Sequence, residues 1–118
     1  MILYRGDWVL IDLWGRRPGE ANPFADMTWV AYAGPEVPEA HARVFSAVRE
    51  ARDLVVERVQ TAWGASETVR GWELDRIARD YIEAAGYGAH FVHRTGHSLG
   101  PGPTIHALGA NLDDYETH

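Results

Sequence analysis

The hydrophobic period of the sequence changes at Pro38, and this change divides the chain into a β-rich part and a helical part. Before Pro38, residues 8–14 and 27–33 form two β-prone runs, each followed by glycine and proline residues that favour turns. We expect the two runs to pair as antiparallel strands across the loop of residues 15–25.

Beyond Pro38 the apolar residues recur at the spacing of an amphipathic helix, with Arg and Glu on the other face. This pattern predicts one helix of about 24 residues, which residues 64–68 interrupt. A second apolar series, residues 74–85, predicts another helix that ends at Gly86. We expect an α+β fold in which the two long antiparallel helices pack on one face of an antiparallel sheet. The five tryptophans are predicted to pack in the core and between the helices and the sheet.

Composition excludes several classes of function. The chain carries 17 Asp and Glu residues against 11 Lys and Arg residues, a formal net charge of −6, whereas nucleic-acid binders present excess positive charge. Arg5 and Asp7 interrupt the apolar N-terminal segment, and no window approaches the roughly 18 consecutive apolar residues of a membrane span. We therefore expect a soluble, cytoplasmic protein that binds neither nucleic acid nor membranes.

Because the chain has no cysteine, its chemistry depends on His, Asp and Glu. Asp12 is a carboxylate within an otherwise apolar strand, where a buried charge requires a partner or a metal ion. The alternative is an aspartate that faces solvent on a half-exposed strand. Asp26 stands at the entry to the second strand, so a hairpin can place two carboxylates side by side, where they repel unless a cation lies between them. Taken alone, Asp26 is more typical of a cap in a loop.

Four of the six histidines fall within the 17 residues from His90 to His106. His93 and His97 are four residues apart, but the glycine-rich context and the lack of a Glu after His93 argue against the helical HExxH zinc motif. Together with the two aspartates, the histidines supply the oxygen and imidazole ligands that suit Mn, Fe, Co or Zn. The alternative of a Ser-His-Asp arrangement with Ser98 lacks the context of a nucleophile elbow.

Five segments, in this order along the chain, resemble the M24 metallopeptidases, a family that includes Xaa-Pro aminopeptidases, prolidases and methionine aminopeptidases. They are GDWVLIDLW (6–14), ADMTWV (25–30), AGYG (85–88), HRTGHSLG (93–100) and IH (105–106). The resemblance covers nearly the whole chain and implies part of the family's pita-bread fold. It also implies an enzyme, a hydrolase that acts on peptide bonds.

The family's site holds two divalent ions, of Mn, Co, Zn or Fe, with two Asp, one His and two Glu. By resemblance, Asp12 matches the ligand of one metal, Asp26 the ligand that bridges both, and His97 the imidazole ligand of the other. His93 and His106 match the catalytic histidines that help to bind the substrate and stabilise the tetrahedral intermediate. The resemblance implies that a hydroxide between the metals attacks the scissile amide carbonyl.

Thr28 matches a residue beside the bridging carboxylate, where its hydroxyl can orient that ligand. No residue of this chain matches either Glu ligand. The resemblance therefore implies that residues 1–118 are a partial M24 catalytic domain, without the upstream segment and without the C-terminal part that carries the two Glu. With three of five ligands, we expect the chain to bind one ion weakly or none.

The expected function is that of a metal-dependent aminopeptidase or dipeptidase, similar to Xaa-Pro peptidases, acting on a peptide substrate. A homodimer, or pairing with a missing complementary segment, is expected because an incomplete sheet leaves an apolar edge. Two alternatives stay open. One is a non-catalytic pita-bread module that binds peptides or proteins, and the other is a metal-free amidinohydrolase of the creatinase type.

Overall fold

The computed structural model describes residues 2–106 and 109–115. It contains two strands, two long helices and a short 3-10 turn, in the order β1 (Trp8–Gly15), β2 (Ala25–Tyr32), α1 (Glu39–Gly64), α2 (Gly71–Ala84) and Gly88–His90. The predicted α+β class and both predicted helices are confirmed, with bounds within a few residues of those expected from the sequence.

β1 and β2 form an antiparallel hairpin in which Trp8 pairs with Tyr32. In this register Asp12 lies opposite Thr28, and Asp26 lies opposite Trp14. Residues that face each other across an antiparallel pair share one side of the sheet, as do residues two apart on one strand. Asp12, Thr28 and Asp26 therefore lie on the same face of the hairpin.

The buried core lies between α1 and α2. α2 begins where the main-chain N–H of Arg70 donates to Glu73 Oε2 at 2.7 Å, and it ends before Gly86, whose φ of +87° favours glycine. The helices meet through small and aliphatic side chains of the predicted apolar faces, although Val44, Val48 and Val59 of α1 are between 41% and 54% exposed. The core residues are Ala51, Val55, Leu74, Ala78 and Ile82.

α1 also faces the hairpin, across an apolar cavity of about 550 Å³ lined by Trp8, Val30, Val44, Phe45 and Val48 among others.

The prediction that the tryptophans pack in the core is wrong, because all five are between 38% and 87% exposed. Alanines at the contact between α1 and α2 leave no room there for an indole ring. Within residues 2–106 and 109–115, no helix is long and apolar enough to cross a bilayer.

Candidate metal centre

The first part of the site is the hairpin face that carries both aspartates. Thr28 Oγ1 donates a hydrogen bond to Asp12 Oδ1 at 3.0 Å, directly across the two strands. The resemblance placed this hydroxyl beside Asp26, whereas the structure gives it a contact with Asp12. Asp12 is exposed, which agrees with the solvent-facing alternative for this carboxylate.

The second part of the site is the pair formed by Asp26 and His97. His97 Nε2 lies 3.3 Å from Asp26 Oδ2, and the two side chains are only 21% and 20% exposed. His97 Nδ1 lies 3.2 Å from the main-chain carbonyl oxygen of Ser98. A carbonyl can only accept, so this contact requires a ring hydrogen on Nδ1 and leaves Nε2 facing the carboxylate.

This pair fits the donor requirements of a divalent metal ion. Typical metal-oxygen and metal-nitrogen bonds of about 2.0–2.2 Å place two donors of one ion roughly 3–3.5 Å apart. The separation of 3.3 Å between Asp26 and His97 falls in that range. The carbonyl contact at Nδ1 is also the arrangement that fixes the tautomer of metal-binding histidines.

The other two predicted histidines differ in their positions. The ring of His106 meets that of His97 edge-on, with centroids 4.3 Å apart, and an isolated β-bridge joins His106 to Leu99. His93 is exposed, and its main-chain carbonyl accepts a hydrogen bond from Arg79. The structure therefore brings His106 to the Asp26–His97 pair and places His93 on the segment that leads into it.

Contacts between two loops hold the hairpin against residues 93–106, the histidine segment, which carries His93, His97 and His106. The N–H of Phe24 donates to the carbonyl of Gly100 at 3.3 Å, and the N–H of Gly102 donates to the carbonyl of Glu20 at 3.0 Å. Arg16 adds a hydrogen bond to the carbonyl of Gly102. Gly102 has a φ of +131°, which disfavours other residues there. These ties place the start of β2, and with it Asp26, beside His97.

The structure does not assemble a complete metal cluster from these residues. Among residues 2–106 and 109–115, no group of three or more His, Asp or Glu side chains is arranged to hold an ion. The structure also argues against His97 as a general base for Ser98. The Nε2 atom of His97 faces Asp26 and Nδ1 faces a main-chain carbonyl, so both ring nitrogens are directed elsewhere.

Asp75 is a buried charge that the sequence interpretation missed. It lies on α2 and is 0% exposed. Burial by itself raises the pKa of the Asp75 carboxyl, but hydrogen bonds from Arg79 and Thr95 outweigh burial and hold this pKa below its ordinary value. The sequence does contain a signal for this buried charge. Asp75 stands next to Leu74 of the apolar stripe on a predicted helix, and Arg79 follows four residues later, at the spacing of an ion pair.

Comparison with known proteins identifies similar chains. The model of metallopeptidase family M24 matches residues 1–116. The Xaa-Pro dipeptidase of Lactobacillus helveticus is 35% identical over 92 residues, which are 78% of this chain and 22% of that protein. The Xaa-Pro dipeptidase of Pyrococcus furiosus is also 35% identical, over 81% of this chain and 25% of its own length.

Solved structures give the same result for the backbone. A prolidase from Thermococcus sibiricus superposes with a TM-score of 0.78 at 29% identity, covering 97% of this chain and 28% of that one. The prolidase from Pyrococcus furiosus gives a TM-score of 0.75 at 28% identity, with 97% and 30% covered. The chain thus spans between a fifth and a third of the length of these relatives.

Proposed function

The chain belongs to metallopeptidase family M24, and from that premise we propose that it forms part of the catalytic domain of an Xaa-Pro peptidase-like enzyme. Its fold is the partial pita-bread fold of its prolidase neighbours, as the resemblance in the sequence predicted. The proposed reaction is metal-dependent hydrolysis of an N-terminal peptide bond, with a peptide as substrate. Residues 1–118 are proposed to form part of this domain, because the matched relatives are several times longer.

One observation carries the proposal: the contact of 3.3 Å between Asp26 Oδ2 and His97 Nε2. It joins two residues that are 71 positions apart in sequence (97 − 26 = 71) and that match two ligands of the family's metal site. An Asp-His pair at chelating distance, with the far ring nitrogen held by a carbonyl, is the usual preparation of an imidazole for a metal. Asp12 lies on the same hairpin face and is proposed as the ligand of the second ion.

The residues of the site have separable roles in the proposed mechanism. When bound, divalent cations polarise the scissile carbonyl and lower the pKa of a water molecule. Asp26 and His97 would hold the ion, while the hydrogen bond from Thr28 orients Asp12. The His106 ring packs edge-on against His97 and so limits its rotation. His93 is exposed and accessible to a peptide, in agreement with the substrate-binding role proposed for it.

The proposal extends to the metal and the surroundings of the chain. The proposed ion is Mn, Co, Zn or Fe, since mixed carboxylate and imidazole donors suit these metals, and by itself this chain is proposed to bind one ion weakly or none. The protein is cytoplasmic, in keeping with its lack of cysteine and its net charge of −6, which also disfavours nucleic acid as a partner. The remaining part of the catalytic domain is the proposed partner of the exposed apolar strands, with a second copy of the chain as the alternative.

Titration of the chain with Mn²⁺, followed by paramagnetic broadening of histidine signals in NMR spectra, tests the proposed site. We expect the His97 ring signals to broaden first, because its Nε2 atom faces Asp26. His41 provides an internal control, since its ring accepts a hydrogen bond from Trp8 at the opposite end of the hairpin. Asp26→Asn removes a charged ligand. The Mn²⁺ concentration needed to broaden the His97 signals should therefore rise about tenfold or more.

Three outcomes would contradict the proposal. Equal broadening at His41 and His97 would show that Mn²⁺ collects on the acidic surface without a specific site. An unchanged titration of Asp26→Asn would remove Asp26 from the ligand set. Hydrolysis of an Xaa-Pro dipeptide by the completed catalytic domain should also stop when a chelator is added. Hydrolysis that resists the chelator would contradict the metal-dependent mechanism.

A further inference from the structure

We propose that Asp75 and Arg79 of α2 are positioning residues that hold the main chain of residues 91–95, and thereby set how His97 meets Asp26. This inference rests on the proposed function for its catalytic meaning, but its structural content concerns the metal-free chain. It assigns to the helical layer a specific task at the site, beyond forming the core.

Asp75 fixes one point of the segment. Its Oδ1 atom accepts hydrogen bonds from the main-chain N–H of Thr95 at 2.8 Å and from the Thr95 hydroxyl at 2.7 Å. The carboxylate also receives Arg79 Nε on Oδ2 at 2.9 Å and Arg79 Nη2 on Oδ1 at 3.2 Å. Four donors therefore converge on one fully buried carboxylate. A buried charge with satisfied partners defines a single geometry, because any displacement leaves a donor or acceptor unpaired.

Arg79 fixes two further points. Its Nη1 atom donates to the carbonyl of Phe91 at 3.0 Å, and Nη2 donates to the carbonyl of His93 at 3.0 Å. The guanidinium also lies over the Phe91 ring, 4.5 Å from its centroid. Its second ion pair, to Asp114, is 3.3 Å long. One arginine thus joins α2 to alternate residues of the segment through the planar donor fork that lysine lacks.

Residues 91–95 belong to no helix or strand, so regular main-chain pairing does not set their conformation. Contacts with α2 hold residues 91, 93 and 95, and two mutual main-chain hydrogen bonds, of 3.2 and 3.1 Å, then join Gly96 to Leu112. His97 follows at once and meets Asp26. A shift of about 1 Å at Thr95 would therefore move the His97 ring. A side chain of a functional site has to be held within about 0.5 Å of its productive position.

A purely structural ion pair would stabilise the chain without affecting His97, and a control for this role exists. Arg58 makes a bidentate pair with Glu67, at 3.1 and 2.6 Å, which ties α1 to the loop before α2. This pair resembles the one between Asp75 and Arg79 in its chemistry, but it has no contact with the histidine segment. Glu67→Gln should therefore change stability alone.

The experiment compares Arg79→Lys, Thr95→Val and Thr95→Ser with Glu67→Gln in the metal-free chain. Arg79→Lys keeps the positive charge but loses the planar set of guanidinium donors. Thr95→Val replaces the hydroxyl with a methyl group and keeps the main-chain N–H that donates to Asp75. For both we expect amide hydrogen exchange at Thr95 and Gly96, whose N–H groups are hydrogen-bonded, to accelerate about tenfold or more. We also expect changed His97 ring signals and a weaker nuclear Overhauser contact between His97 and Asp26. Thr95→Ser should restore the parent values, and Glu67→Gln should leave the His97 signals unchanged.

The readouts separate this inference from the proposed function. Unchanged His97 signals and unchanged exchange in Arg79→Lys and Thr95→Val would overturn the inference, even if Mn²⁺ still broadened His97. Equal changes in Glu67→Gln would also overturn it, because the effect would then follow general stability. If the variants behave as expected while the parent chain fails to bind Mn²⁺, the positioning role stands and the proposed metal site fails.

Discussion

The contact between the two helices and the hairpin differ in how far their apolar residues are buried. Ile82 of α2 is 6% exposed within the core, whereas Ile11 of β1 is 48% exposed. The helices bury the apolar side chains at which they meet, although Val48 on the side of α1 toward the hairpin is 54% exposed, and the hairpin leaves most of its large side chains in contact with solvent. The predicted metal ligands nevertheless lie on the less buried layer and on the loop beside it. This contrast indicates that the geometry of the site depends on ties to the rigid layer.

The same contrast explains why the site is organised from α2 outward. The hairpin contributes Asp12 and Asp26, but the His97 segment is fixed by contacts with Asp75 and Arg79. An element that buries little apolar surface has little free energy with which to hold its own side chains in place. Buried polar contacts from the middle of a stable helix can supply the missing constraint.

Substitution of one isoleucine in each layer gives the largest expected difference. Ile82→Ala should lower the free energy of unfolding by about 2–5 kcal/mol, because it leaves a cavity in a packed core. Ile11→Ala should cost less than about 1 kcal/mol, because half of its side chain remains in water. Urea unfolding followed by far-UV circular dichroism measures both. A cost at Ile11 equal to that at Ile82 would show that the hairpin is covered in solution, by a second copy of the chain or by other contacts.

Acidification gives an intermediate effect that also separates the layers. The pKa of Asp75 is held below its ordinary value of 3.8, so this carboxylate stabilises the fold above that pH and loses its contribution as the pH falls through the lowered pKa. The parent chain should therefore lose stability as the pH falls below the ordinary value of 3.8, because the unfolded chain takes up the Asp75 proton before the folded chain does. Asp75→Asn should show a shallower decline over the same range in urea unfolding.

Glu67 provides the control for the acid measurement. Hydrogen bonding to Arg58 lowers the pKa of Glu67 as well, but that carboxyl is exposed and its pair is screened by water. Glu67→Gln should therefore retain most of the parent slope. If Glu67→Gln flattened the acid decline more than Asp75→Asn, the acid sensitivity would belong to the surface and not to the buried network.

The sequence was sufficient for the elements and for part of the site. The hydrophobic period and the positions of glycine and proline predicted both helices, and two β-prone runs joined by a loop predicted the antiparallel hairpin. The resemblance selected Asp26 and His97, which the structure brings within 3.3 Å. These features depend on local pattern or on a family motif, and a single sequence displays both.

The ties between elements could not be read in the same way. Asp75–Arg79 and Arg76–Asp80 are both ion pairs with four-residue spacing on α2, yet only the first includes a fully buried carboxylate. Their difference depends on which side of α2 meets the segment at Thr95, 20 positions after Asp75. Arg16 and Gly102, 86 positions apart, meet for similar reasons. Such contacts depend on the relative orientation of elements, which spacing along the chain does not determine.

The smallest expected effect on stability concerns Thr28 on the hairpin. Its hydroxyl donates to Asp12 across the strands, and both residues are exposed, so Thr28→Val should change the free energy of unfolding by less than about 1 kcal/mol. The affinity for any ion held by Asp12 should change more, because substitution of a residue that orients a metal ligand typically lowers metal affinity about 10–100-fold. Thr28→Ser retains the hydroxyl and should preserve the parent affinity. Urea unfolding and calorimetric titration with Co²⁺ measure the two quantities. A large loss of stability with unchanged Co²⁺ affinity would reverse the contrast between the layers, because the hairpin would then depend on this bond for folding and not for its ligand.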